Sequence, residues 1–325
     1  MLTNLDIQNL ASEIGAKVLH THASWVLILE DVVYKIKKPV NFGFLDYSTY
    51  EKRLEFYKLE LELNRRLCPW IYLDVVPISL IDSKLKLENS SNIVESAIKM
   101  KKIPEESIMI NRLDKITQSD IINLANHIAS FHKSARICKN FQDPSVIIYN
   151  VMENFEQTKE FINLTIPKET FDFIKSRSEK FMEENIDIFK ERANTGLIID
   201  GHGDIRLEHV AFLKEGTCVF DCVEFNERFR CADRINDMCF LSMELELNSR
   251  WDLSEIFEKA YFNAIGETAP KELLYFYKSY RAYVRGKVNS LLAKESEHKV
   301  FAKELARKHF ELSALYIKNA TDKNN

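Results

Sequence analysis

The sequence predicts an α+β protein of two lobes: a small β-rich lobe over residues 1–102 and a larger, mostly helical lobe over residues 103–325 with one embedded hairpin. Three observations predict it. Short β-prone runs crowd the first hundred residues. Beyond Pro104 the texture changes to long stretches whose apolar residues recur at helical spacing. Pro and Gly are sparse, 7 and 8 among 325 residues, so a short connector near Met100–Glu105 is expected to join the lobes in place of a flexible linker.

The elements follow in order. Asn4–Ile14 reads as an amphipathic helix stopped by Gly15, a residue that takes the left-handed conformation at a helix end without strain. Ala16–His20, Trp25–Glu30 and Val32–Lys37 read as strands, the last two joined by the polar turn Glu30-Asp31. Ser48 or Thr49 caps a helix reaching about Leu67. Val75–Ile81 and Leu85–Leu87 form a second hairpin, and Glu95–Met100 another strand. Ser119 opens a helix with Ile121, Ile122, Ala125, Ile128, Ala129 and His132 at its apolar positions. Helices are expected at Asn150–Asn163 and Lys168–Ala193, and again at Arg234–Asn248, Leu253–Ala264, Lys271–Leu292 and Val300–Ala320.

Bulk properties narrow the function. Hydrophobic residues are 46% and charged residues 29%, the profile of a soluble globular chain. The net charge of -4 argues against a dedicated nucleic-acid binder, which is usually basic. No apolar run approaches the length of a membrane span, and the N-terminal stretch lacks a basic start and apolar core, so a cytoplasmic protein is expected. Cys68, Cys138, Cys218, Cys222, Cys231 and Cys239 include no CxxC pair, and they read as small apolar structural thiols.

Chemistry concentrates between Leu197 and Phe240. The apolar run Leu197–Ile199 leads into Asp200 and then Gly201-His202-Gly203-Asp204, with His209 five residues further on. A hairpin follows, Val210–Leu213 and Cys218–Phe220 around Lys214-Glu215-Gly216, and it ends in Asp221. A loop carboxylate at Asp204 can orient a hydroxyl proton, and a carboxylate at the strand end suits Mg²⁺. In-line phosphoryl transfer needs that pair of acids. Each alone has other readings: Asp204 as a turn-capping residue, His209 as a partner of a phosphate or of Asp204, or as a histidine packing its loop.

His202-Gly203-Asp204, a polar residue five positions on, and Asp221 resemble the signature of the aminoglycoside phosphotransferase and choline kinase family, which has the protein-kinase-like two-lobed fold. The tail Arg230–Phe240, RCADRINDMCF, is similar to the stretch after that family's metal aspartate. More narrowly, HGDIRLEHV, DCVEFNERFR and YKIKKPVNFGFLDYST resemble an uncharacterised bacterial branch often fused to a P-loop kinase-like domain; no GxxxxGK[ST] occurs in these 325 residues. The resemblance implies ATP and Mg²⁺ as cofactors. It implies Asp204 as catalytic carboxylate with Arg206 beside it, and Asp221 and His209 as metal ligands. Lys35, with Lys37 as its rival, would pair with Glu60, with Glu62 as fallback, to place the phosphates. Met100 would hold the adenine at the connector. His202, Asp233 and Asp237 would support the loop, and His132 would be a packed histidine.

Three departures from the family pattern stand out. The turn His20–Ser24 has no glycine, Arg206 and His209 replace the usual His and Asn, and Glu208 and Glu224 add carboxylates near the metal position, Glu224 reading as a hairpin-edge residue ahead of a ligand to a second metal. Outside the motif, Tyr277, Arg281 and Arg285 share one helix face, either as an anionic-substrate site or as a solvated basic face. The expected function is phosphoryl transfer to a hydroxyl of a small-molecule acceptor. The alternatives are a kinase-like nucleotide-binding or regulatory module with a protein partner, and transfer of AMP to a protein.

Overall fold

The computed structural model describes residues 2–43, 45–295 and 299–322. In chain order its elements are α1 (Asn4–Ile14), β1 (Lys17–His20), β2 (Ser24–Ile28), β3 (Val32–Lys37), α2 (Tyr50–Arg65), β4 (Tyr72–Ile81), β5 (Lys84–Leu87) and β6 (Ile93–Lys101). Next come α3 (Gln118–Ser134), α4 (Ser145–Thr158), α5 (Lys168–Glu184), α6 (Ile186–Asn194) and β7 (Ile198–Asp200). The hairpin β8 (Val210–Leu213) and β9 (Gly216–Val219) follows, then α7 (Glu227–Arg230), β10 (Cys231–Asp233), α8 (Arg234–Leu247), α9 (Trp251–Ile265), α10 (Lys271–Glu295) and α11 (Lys299–Thr321).

The chain forms two compact units: Met1–Ile116 with Glu208–Glu227, and Thr117–Leu207 with Arg228–Asn325. The hairpin β8–β9, expected in the second lobe, therefore belongs to the first unit. Its inward residues explain why. Ala211 and Cys218 are fully buried in one cluster with Tyr57, Ile71, Tyr72, Ile98 and Met100.

The first unit is built on a six-stranded antiparallel sheet of order β1-β2-β3-β6-β4-β5. Alternation in β2 and β3 sends Trp25, Leu27, Tyr34 and Ile36 into a core shared with Ile7, Leu10 and Ala11 of α1. α1 begins with a reciprocal capping box between Thr3 and Asp6, and Gly15 ends it at φ 70°. Thr49 caps α2 by accepting the Lys52 amide. α2 packs on β4 and β6, burying Tyr57, Glu60, Leu63 and Asn64. Glu60 and Asn64, the polar pair among these, are the ones that serve the site.

Among the described residues of the second unit the strands are the two-stranded pair β7–β10, where Asp200 lies opposite Cys231, and the rest is mostly helical. α3 packs along α9, and α10 along α8 and α11. α3 opens at Thr117, two residues ahead of the expected Ser119, because Thr117 and Asp120 satisfy each other's amides in a capping box. The single helix expected at Lys168–Ala193 is two helices. Asn185, with a non-helical ψ of 21°, divides them, and its amide donates to the Phe181 carbonyl.

The cysteines depart from the sequence expectation. Cys68–Cys218 and Cys138–Cys231 are disulfides, with Cα atoms 4.9 and 5.9 Å apart; Cys222 and Cys239 are buried thiols outside these bridges. Partners 150 and 93 residues apart leave no local spacing signal, which is why the six residues read as unpaired thiols. Among the described residues no helix is long and apolar enough to cross a membrane.

Candidate functional site

In the first unit, β3 aims two lysines at one glutamate of α2. Residues two apart on a strand share a face, so Lys35 and Lys37 both reach Glu60. Lys35 Nζ lies 2.9 Å from Glu60 Oε1, and Lys37 Nζ lies 2.5 Å from Oε2. Lys35 also touches Asp221 Oδ1 at 2.7 Å. The two lysines differ in access: Lys35 keeps 19% of its side chain exposed, Lys37 only 1%. Glu62, the fallback partner, lies on α2 outside this cluster of ion pairs.

Burial favours the neutral forms of Lys35, Lys37 and Glu60, yet the opposite charges prevail. Asp221 and Glu60 hold the Lys35 ammonium well above the usual lysine range, and the two lysines hold Glu60 below the usual carboxylate range. Lys35 and Glu60 are therefore both charged at neutral pH.

Asp221 follows shortly after β9. Its backbone is left-handed, at φ 61°, its amide donates to the Tyr72 hydroxyl at 3.2 Å, and its side chain is 44% exposed. His209, just ahead of β8, brings Nε2 to 3.6 Å from Asp221 Oδ2. The hairpin accounts for this proximity: Val210 pairs with Val219, and the Phe220 amide donates to the His209 carbonyl. A half-exposed carboxylate with an imidazole nitrogen beside it is a donor set that fits a divalent cation. Met100, paired with Val33 in the sheet, buries its side chain in the cluster around Tyr72.

In the second unit, Gly201–Asp204 follows β7 and is clamped by Asp237 of α8. Asp237 Oδ2 accepts the His202 amide at 2.7 Å, and Oδ1 accepts the Gly203 amide at 2.8 Å. A Cβ on Gly201 would collide with Asp237 Oδ2, and Gly203 has φ 84°, so both glycines are required by geometry. His132 is more than a packed histidine: Nε2 contacts Asp237 Oδ2 at 3.1 Å and Nδ1 contacts the Tyr261 hydroxyl at 2.7 Å. Asp204 is one-quarter exposed and pairs with Arg206 Nε at 3.1 Å, while its amide donates to His202 Nδ1 at 3.2 Å.

Asp233, opposite Ile198 on the strand that leads into this loop, caps α8. It accepts the Ile235 amide, the Arg192 guanidinium and the Tyr277 hydroxyl. The face of α10 divides. Arg281 is buried, donating to the Asn236 carbonyl at 3.1 Å and to the Gly203 carbonyl at 3.3 Å, with its guanidinium over Phe240. Arg285 is half-buried. Arg281 thus touches the loop from within the protein.

Sequence reasoning misses Asn64 and Tyr47 and takes Glu224 for an edge residue. Asn64 anchors the segment that carries Asp221, accepting the Cys222 amide at 2.9 Å. Glu224 is 7% exposed and meets Lys37. One signal exists for Asn64: it stands four residues after Glu60, on the same helix face.

The chain matches no protein-family model. It is 28% identical over 309 residues to the uncharacterised proteins Rv2004c of Mycobacterium tuberculosis and Mb2027c of Mycobacterium bovis, covering 94% of this chain and 60% of each relative. The chain thus spans about 60% of the length of the curated relatives it matches. Among solved structures it resembles choline kinase from Cryptosporidium parvum, with TM-score 0.60, 12% identity, and 94% and 89% of the two chains covered. It also resembles the GDP and kanamycin complex of APH(2'')-IIia, at 0.54, 12%, and 94% and 98%. A third is ADP-bound aminoglycoside phosphotransferase APH(2'')-Ib, at 0.51, 16%, and 96% and 99%. The fold is the kinase-like one of the choline kinases and aminoglycoside phosphotransferases.

Proposed function

We propose that this chain is an ATP- and Mg²⁺-dependent phosphotransferase acting on a hydroxyl of a small-molecule acceptor. The observation that carries the reading is the meeting of Lys35, Glu60 and Asp221 from β3, α2 and the segment after β9. A lysine fixed by one carboxylate and touching another, exposed one is placed to exchange that second contact for nucleotide phosphates. The GDP complex of APH(2'')-IIia and ADP-bound APH(2'')-Ib, both similar in fold, support a purine nucleotide.

In this reading Lys35 contacts the phosphates and Glu60 keeps its ammonium in place. Asp221, with His209, would hold Mg²⁺, which would neutralise charge on the transferring group. Asp204 orients the acceptor hydroxyl, and Arg206 sets the rotamer of Asp204. The terminal phosphoryl group passes to the acceptor oxygen, ADP leaves, and the hydroxyl proton moves off beside Asp204. Catalysis comes from position and charge, as a loose transition state requires.

Thermal unfolding with and without Mg·ATP tests it. Wild type should be stabilised and Asp221→Ala should lose that gain, whereas Asp204→Asn should keep the gain and lose turnover. No stabilisation at millimolar ATP sinks the proposal. Intact-mass analysis of modified product separates additions of about 80 Da from about 329 Da, a phosphoryl from an adenylyl transfer.

A further inference from the structure

Lys37 is a fully buried lysine that no step above uses. Its Nζ bridges Glu60 Oε2 at 2.5 Å and Glu224 Oε1 at 2.5 Å, with the Tyr47 hydroxyl at 3.2 Å. The Tyr47 hydroxyl itself donates to Glu224 Oε1 at 2.5 Å, and the Lys37 amide donates to the Tyr57 hydroxyl at 2.7 Å. A lysine so enclosed has no open side on which to receive a phosphate.

Glu224 lies three residues after Asp221. The segment between them is anchored at its other end by Tyr72 on the Asp221 amide and Asn64 on the Cys222 amide. Asp221 needs such anchoring. A left-handed backbone at a residue other than glycine is strained and persists only where its surroundings over-determine it. Four side chains, Tyr72, Asn64, Lys37 and Tyr47, supply that constraint.

The charges point the same way. Two lysines face three carboxylates, Glu60, Glu224 and Asp221. The side chains of Glu60 and Glu224 are 1% and 8% exposed, whereas that of Asp221 is 44% exposed. Asp221 is thus the one of the three carboxylates with substantial access to solvent and to a cation.

We propose that Lys37 and Glu224 are positioning residues: their buried pair fixes Glu60 and the Asp221 segment before any nucleotide arrives, leaving Lys35 as the lysine that turns to phosphate. The proposal rests on the phosphotransferase reading for its consequence, but its structural half is measurable without ligand.

Three measurements test it on the full chain. Hydrogen–deuterium exchange of the ligand-free protein should show faster exchange at residues 221–224 in Lys37→Met and Glu224→Gln, and a smaller increase in Lys35→Met, which loses a contact to the Asp221 side chain. In Mg²⁺ titrations of ATP-induced stabilisation and turnover, both variants should raise the Mg²⁺ half-saturation about tenfold or more and lower kcat, with the KM for ATP little changed. Lys35→Met should instead raise the KM for ATP. The double variant Lys37→Met/Glu224→Gln removes both buried charges together, so its melting temperature should recover towards wild type while its Mg²⁺ response does not. Recovery of both together, or unchanged exchange at 221–224, overturns the proposal. So does Lys37→Met behaving as Lys35→Met is expected to. Wild type without Mg·ATP stabilisation removes the phosphotransferase reading, and the exchange result then still decides whether the pair holds the segment.

Discussion

The backbone amide of Gly203 donates to Asp237 Oδ1 across 2.8 Å, so a carboxylate on a helix 34 residues later in the chain sets the loop that carries Asp204. Asp237 opposes its own burial. Burial favours the protonated acid, but the hydrogen bond and charge of His132, with His202 and Arg281, hold it well below the usual carboxylate range.

Asp237→Asn should therefore cost stability, because one of the two amides loses its acceptor and the other keeps only a neutral one; about 1–3 kcal/mol is expected. The sign with pH follows from a folded-state pKa lower than the unfolded value of 3.8. The Asp237 contribution is complete above that unfolded value and is lost as pH falls through the lower folded value. Urea midpoints of wild type and Asp237→Asn should keep a constant gap from about pH 5 to about pH 8 and converge only in strong acid.

Arg281 is the counterpart of Asp237 on the same loop, since it donates to the Gly203 carbonyl while Asp237 takes the Gly203 amide. Arg281→Met leaves the Gly203 and Asn236 carbonyls without that donor. A loss of about 2 kcal/mol in stability and a drop in kcat are expected, with the acceptor KM little changed. An effect confined to acceptor KM would instead return Arg281 to the substrate-contact role that its helix face suggested.

What is legible in this sequence is local. Gly15, Thr49 and the hairpin around Gly216 follow from capping and turn chemistry that acts within a few residues. His202-Gly203-Asp204 and Asp221 are visible because the glycines are demanded by close approach and the acid by a strand end. Lys37, Glu224 and Asn64 are obscured because each acquires its role from a partner far along the chain. Lys37 and Glu224 are 187 residues apart, and Asn64 and Cys222 are 158 apart. Sequence alternation places Lys35 and Lys37 on one face correctly, but only packing shows which of them keeps access to solvent.

The disulfides are hidden for the same reason and make a separate prediction. Alkylation of denatured, unreduced protein should label two cysteines, Cys222 and Cys239, and alkylation after reduction should label all six. Each bridge closes a long loop, so reduction should lower stability by about 2–4 kcal/mol per bridge. Labelling of six cysteines without reductant would show that the pairs are thiols in the purified protein.

His209 offers the sharpest chemical test of the metal assignment. Its Nε2 is 3.6 Å from Asp221 Oδ2, close enough for one cation to take both. Mg²⁺ prefers oxygen, and imidazole suits Mn²⁺ and the later transition metals better. Wild type should therefore be half-saturated at a lower concentration of Mn²⁺ than of Mg²⁺. His209→Asn places an amide oxygen on the same hairpin and should reverse that preference by strengthening Mg²⁺. His209→Ala should weaken both ions, and about tenfold is expected for loss of one ligand-shell contact. If neither variant shifts either titration, His209 packs its loop against Phe220, whose ring centroid lies 5.9 Å away, and Asp221 binds the ion without it.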